Sequence, residues 1–147
     1  MDDRDLAIRN LTYASFVELG RAPTIGEVAS SASVPTAEVE AAWRRLHDAH
    51  ALVVFPGTTE IHMANPFSAV PTPYLVEAAG RSWYGNCAWD AFGICAALHA
   101  DGMISTTCPD CGVAIDVAVR DGVPSDPTLA FHCLVPAAHW WDDIAFT

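Results

Sequence analysis

In the stretch "WYGNCAWDAFGIC", residues 83 to 95, Cys87 and Asp90 stand three positions apart at the head of an apolar run. On a helix, positions i and i+3 share a face with their Cβ atoms ~5–6 Å apart, so a thiol and a carboxylate can meet there. A helix capped by Asn86 would put Cys87 in the first turn, where free N–H groups and the helix dipole favour a thiolate. Asp90 opposes this, because a neighbouring carboxylate raises a thiol's pKa. The pair is therefore a poor bare nucleophile and a better soft-cation site, in which the sulfur binds the metal and the carboxylate moves a proton. Helix packing accounts for the same spacing, and these residues alone leave both readings open.

The chain has five cysteines, at 87, 95, 108, 111 and 133. An odd count without a secretory signal argues against a disulfide framework and for reduced thiols. "TCPDCG" sets Cys108 and Cys111 in a C-x-x-C knuckle, half of what a tetrahedral zinc site needs. His132 and Cys133 are candidates for the other half, but as neighbours on a strand they would point to opposite faces. Zn2+ at Cys108 and Cys111, a redox pair and a purely structural turn all remain open. His47 and His50 read as solvated positions on one helix. Trp83, Trp89, Trp140 and Trp141 are expected in the core around the Cys87 helix, or as walls of an apolar pocket beside it. No phosphate-binding glycine loop and no G-x-S-x-G elbow occurs.

Composition narrows the class. Of 147 residues, 52% are hydrophobic and 17% charged, a globular balance. Seven Lys and Arg against eighteen Asp and Glu give a net charge of −11, which repels phosphate backbones and disfavours nucleic-acid binding. No run approaches the ~20 apolar residues of a membrane span. "MDDRDLAIRN" is acidic where a secretory signal would be basic, so a soluble, cytoplasmic protein is expected.

The elements that must position Cys87 fall into two halves. "DLAIRNLTYASFVELG" reads as a helix carrying Leu6, Ile8, Leu11, Phe16, Val17 and Leu19, with Gly20 as its C-cap. Thr24 and Glu27 form a capping box for a second helix. Thr36 starts a third, apolar at Val39, Ala42, Trp43 and Leu46. "LVVF", "PGTT" and "EIHMA" read as a hairpin. Three helices and a hairpin make a winged-helix-like domain over residues 1–65. A Pro-rich, packed connector follows over 66–80, then a second domain over 81–147. There a helix runs from Cys87 to about His99, with strands at "DGMISTT", "VAIDVAV" (Val113, Ile115, Val117 and Val119 on one face) and "TLAFHCLVP". "DIAFT" looks like the start of one more strand. The fold class is α+β: a three-helix region plus a small mixed sheet with one helix, its C-terminus apparently truncated.

Taken together, "GRAPTIGEVA", "MANPFSAVPT", "SWYGNCAWDAFGI", "TTCPDCG" and "VPAAHWWDDIAF" resemble the alkylmercury (organomercurial) lyase family from about residue 10 onward. The resemblance implies a winged-helix-like region packed on an α+β catalytic domain. It implies protonolysis of the carbon–mercury bond of R–Hg+ to RH and Hg2+, with no organic cofactor. Cys87 matches the first catalytic cysteine, Asp90 the catalytic aspartate and Cys108 a structural cysteine. Cellular thiols or a mercuric reductase would then accept the Hg2+. Mercury is soft, so thiolates hold it where carboxylate or imidazole would not compete.

The second catalytic cysteine of the family follows the segment matched by "WWDDIAFT", where this sequence ends at Thr147. Cys95, two turns beyond Cys87, lies about 12 Å along the helix axis, too far to share one ion. Three expectations stand: a truncated chain, a UGA codon at position 148 encoding selenocysteine, or substitution by Cys133 or Cys111. A missing strand would leave an open sheet edge and a monomer of low stability or a weak dimer. The competing readings are a non-catalytic thiol-based metal- or mercury-binding protein using Cys87, Cys108, Cys111 and Cys133, and a winged-helix regulator, which the −11 charge opposes.

Overall fold

The computed structural model describes residues 2–145. It opens with α1 (Asp3–Leu19), where the Asp2 carboxylate accepts from the Asp5 N–H at 2.8 Å. Gly20 ends the helix in the left-handed region, φ 68°, as a C-cap glycine does. Its inward stripe is Asp5, Ile8, Thr12 and Phe16, whereas Leu6 and Leu19 face solvent. The expected capping box opens α2 (Ile25–Ala32): Glu27 N–H donates to Thr24 Oγ1 at 3.3 Å, and Thr24 N–H donates to the Glu27 carboxylate at 2.7 Å. Helix α3 (Thr36–Asp48) buries Val39, Ala42, Trp43 and Leu46, as its spacing predicts.

Polar groups inside this three-helix unit are matched. Trp43 Nε1–H donates to the Thr12 hydroxyl at 3.0 Å, and that hydroxyl donates to Ile8 O at 2.8 Å. Arg45 on α3 forms a two-pronged pair with the buried Asp5 on α1, the shortest contact being 2.6 Å. Arg44 pairs with Glu40 at 2.8 Å. Both arginines of the third helix are thus held by acids of their own chain.

The strands are β1 (Val53–Val54), β2 (Ile61–Ala64), β3 (Phe67–Ser68), β4 (Leu75–Ala78) and β5 (Arg81–Gly85). After α4 (Ala88–Leu98) come β6 (Gly102–Thr107), β7 (Ala114–Arg120) and β8 (Val123–Pro124). They form one sheet in the order β1-β2-β3-β5-β4-β6-β7-β8. Every described pairing is antiparallel, not mixed. Residues 66–80, read as a connector, carry β3 and β4, so the hairpin beside the helices continues directly into the sheet. The fold is α+β.

The core runs through both halves. Phe16 of α1 stacks on Phe67 of β3, with ring centroids 5.7 Å apart, and Trp83 Nε1–H donates to Phe16 O at 3.1 Å. Helix α4 lies across β4, β5 and β6, burying Ala91, Ile94 and Cys95. On β7, Val117 and Val119 are buried and Ile115 is partly buried, but Val113 lies before the strand and is exposed. Among the described residues, no helix is long and apolar enough to cross a membrane.

Of the expected strands, "TLAFHCLVP" is absent, and "DIAFT" forms none over residues 143–145. Residues 128–136 are irregular: β8 ends at Pro124, and among the described residues no strand lies beside them to form a ladder. A short 3-10 helix (Ala137–Asp142) follows, and residues 143–145 form a bend and a turn. The rest of the "DIAFT" expectation, residues 146 and 147, lies outside the described residues.

Candidate functional site

The position of Cys87 is set by the end of β5. A Cβ at Gly85 would come within 2.8 Å of Ala91 N and 3.0 Å of Ala91 Cα. Only glycine therefore lets the strand press against the first turn of α4. Gly85 is fixed from both sides: Thr72 Oγ1–H donates to Gly85 O at 2.6 Å, and Gly85 N–H donates to Tyr74 O at 3.0 Å. The chain then turns through Asn86 into the helix.

Cys87, not Asn86, occupies the N-cap position. Its backbone is extended (φ −148°, ψ −177°), and its side chain makes no capping bond. The Cys87 thiol instead donates to Asp90 Oδ2 at 3.8 Å, and Asn86 Nδ2–H donates to the same oxygen at 3.1 Å. Asn86 Nδ2 also reaches Asn65 Oδ1 at 3.4 Å and Pro66 O at 3.5 Å, which ties the site to the turn between β2 and β3.

The electrostatics follow from this half-buried setting. Burial pushes the Cys87 thiol above its ordinary range and the Asp90 charge adds to the rise, against the pull of the Asp90 and Trp89 backbone N–H groups. Burial also raises the Asp90 carboxyl, opposed by the hydrogen bonds from Asn86 and Cys87. A neutral thiol hydrogen-bonded to a carboxylate of raised proton affinity is suited to passing one proton between them.

Cys87 and Asp90 line a cavity of about 230 Å3 together with Tyr74, Trp89, Cys133 and Trp140. His132 and Cys133 both face it, since the segment is irregular and the alternation of a strand does not apply. A more apolar cavity of about 330 Å3, walled by Phe92, Ile104 and Leu129, shares Tyr74, Phe131 and His132 with the first. The four tryptophans have separate fates. Trp83 is core, Trp89 is 65% exposed at the cavity rim, Trp140 lines the cavity, and Trp141 stacks on His50 at 4.0 Å.

The remaining cysteines lie elsewhere. Cys95 is buried against β6, where a Cβ at Gly102 would meet its Sγ at 2.7 Å. Cys108 and Cys111 sit in the turn between β6 and β7, closed by Gly112 N–H donating to Cys108 O at 2.9 Å. The Cys111 and Asp110 N–H groups and the Cys111 thiol hold the Cys108 thiol below its ordinary range. Among the described residues no three His, Cys, Asp or Glu side chains gather as a metal cluster. The zinc knuckle considered for Cys108, Cys111, His132 and Cys133 therefore does not assemble: two of its members are in the turn and two face the cavity.

Sequence reasoning paired Cys87 with Asp90 but missed Tyr74, which reads as part of a connector, and the bond from Asn86 to Asp90. The i, i+4 spacing of Asn86 and Asp90 was the available signal.

A family model described as alkylmercury lyase matches residues 67–147, more than half of the chain. Among solved structures, the mercury-bound form of MerB2 superposes with a TM-score of 0.66 at 23% identity, covering 86% of this chain and 60% of that one. The chain thus spans about 60% of the length of that structure. No curated protein gives a significant match.

Proposed function

Because the chain belongs to the alkylmercury lyase family, we propose that it cleaves the carbon–mercury bond of R–Hg+ to give RH and Hg2+. Cys87 takes the mercury, exchanging its thiol proton for an Hg–S bond. Asp90 receives a thiol proton and delivers it to the carbon that leaves, a general-acid step. The organic group meets apolar walls in Trp89, Phe131 and Leu134. The Hg2+ passes to a cellular thiol or a mercuric reductase, and no organic cofactor takes part.

One observation carries this reading: the Cys87 thiol donates to Asp90 Oδ2 at 3.8 Å on the wall of a cavity. The exposed turn holding Cys108 and Cys111 does not line that cavity, and Cys108 is assigned a structural role.

The test is benzene release from phenylmercury in excess thiol. Asp90→Asn should lower release by ~10²–10⁴-fold, the usual contribution of a positioned acid, while leaving the mercury bound per chain unchanged. Release from the unaltered chain no faster than the thiol-only blank, with mercury still bound, would leave a thiol-based mercury-binding protein as the account.

A further inference from the structure

We infer that the cavity of about 330 Å3 beside the Cys87 cavity seats the organic group of the mercurial, and that the group it suits is an aryl ring. The inference rests on the lyase reading for the kind of substrate and names the part of that substrate the chain selects.

The two cavities adjoin. Tyr74, Phe131 and His132 line both. Ala88, the residue after Cys87, lines the second, so a substituent on mercury held at the Cys87 sulfur has that cavity next to it. The first cavity carries the polar groups of the site, Asn65, Asn86 and Asp90. An apolar substituent gains by leaving them for apolar walls.

Those walls follow from the strand register. Ile104 and Thr106 of β6 lie opposite Val117 and Ile115 of β7, and alternate residues of a strand share a face. The two cross-strand pairs make a floor for the cavity. Ala88 and Phe92, one turn apart on α4, form one side, and Leu129 and Phe131 of the irregular segment form the other. Size narrows the occupant. An apolar cavity of ~150 Å3 takes benzene, so about 330 Å3 holds a ring with room to spare, whereas a methyl group leaves nearly all of it unfilled.

Thr106 allows the cavity to be filled at little cost to the fold. Its Oγ1 is buried and has no hydrogen-bond partner among the described residues. An apolar replacement therefore breaks no side-chain bond, and aromatic residues suit a strand.

The experiment measures how well the whole chain retains methylmercury and phenylmercury against a competing thiol, with Asp90→Asn in place to slow cleavage. The Hg–S exchange is common to both, so the difference in retention reads the organic group. Phenylmercury should be retained at least ~10-fold better, the lower end of what a fitted apolar group contributes. Thr106→Phe should cut that aryl-to-methyl ratio by at least ~10-fold, and Leu129→Ala, at an exposed wall position, should cut it less. Equal retention of the two mercurials overturns the inference. So does an aryl preference that a folded Thr106→Phe chain keeps, which would put the ring on the exposed Trp89 rim of the first cavity. Should that variant not fold, Leu129→Ala decides in the same sense. Benzene release from phenylmercury by the unaltered chain is measured alongside. An aryl preference without release sinks the lyase reading and leaves the cavity assigned; release without an aryl preference does the reverse.

Discussion

Cys87 is a thiol held neutral by its surroundings, and its reactivity follows from which of those can be removed. Burial is the largest cause of its raised pKa and the Asp90 carboxylate is another. The thiolate is the form that alkylates, so the iodoacetamide rate at Cys87 should rise through a midpoint above that of an ordinary thiol. Asp90→Asn removes the charge but not the burial or the backbone N–H groups. The midpoint should therefore move down, toward the ordinary range, without reaching the low values of an activated cysteine. Peptide-resolved alkylation against pH measures this directly; a midpoint unchanged or raised would mean that Asp90 is not the charge facing the sulfur. The pairing itself was legible, because i, i+3 spacing on a helix is a local rule. The cap position was not: Asn86 is the better capping residue by type, but its Nδ2–H group is directed to Asp90, Asn65 and Pro66. Its Oδ1, the atom a cap would use, accepts no hydrogen bond among the described residues. Sequence preference cannot register a partner that arrives from another turn.

At the scale of elements, the site depends on a strand and a helix approaching more closely than side chains normally permit. Gly85→Ala places a methyl group 2.8 Å from Ala91 N, against backbone rather than a flexible side chain. The first turn of α4 must then move away from β5, carrying Cys87 and Asp90 with it. Overpacking of this kind costs about 1–3 kcal/mol, and each kcal/mol lowers Tm by ~2–4 °C in a chain of this size. A thermal melt should show that loss, and benzene release should fall by more than the melt accounts for at a temperature where the variant is folded. A variant with unaltered Tm and turnover would show that the strand–helix approach is not needed. The helices were readable because Thr24, Glu27 and the stripe of α3 act within a few residues. The β4–β5 hairpin was not, since "LVEAAGRSWYG" shows no clean alternation and its turn is only Ala79 and Gly80. Residues 128–136 alternate as a strand should, yet among the described residues no strand pairs with them. A strand is a property of two segments, and only one of them is visible in such a run.

Across the whole molecule, the cavity is closed by a segment that the N-terminal helices help to hold. Trp141, in the 3-10 helix, stacks on His50 just beyond α3, with centroids 4.0 Å apart and planes 3° from parallel. Its neighbour Trp140 lines the cavity and donates to Val135 O. The chain just after the three helices is therefore in contact with the segment that lines the cavity. A stacked pair of this kind contributes ~0.5–1.5 kcal/mol. His50→Ala should accordingly raise the population of chains with residues 131–145 detached by up to about ten-fold, while α1–α3 and the sheet keep their packing. Limited proteolysis should then cut within that segment faster, at an unchanged Tm for the rest of the chain. Benzene release should weaken through KM more than through kcat, because the detached state lacks cavity walls but retains the Cys87–Asp90 pair. Loss confined to kcat would place His50 in the chemistry rather than in closure. Unchanged cleavage and kinetics would show that the tail is held by its cavity contacts alone.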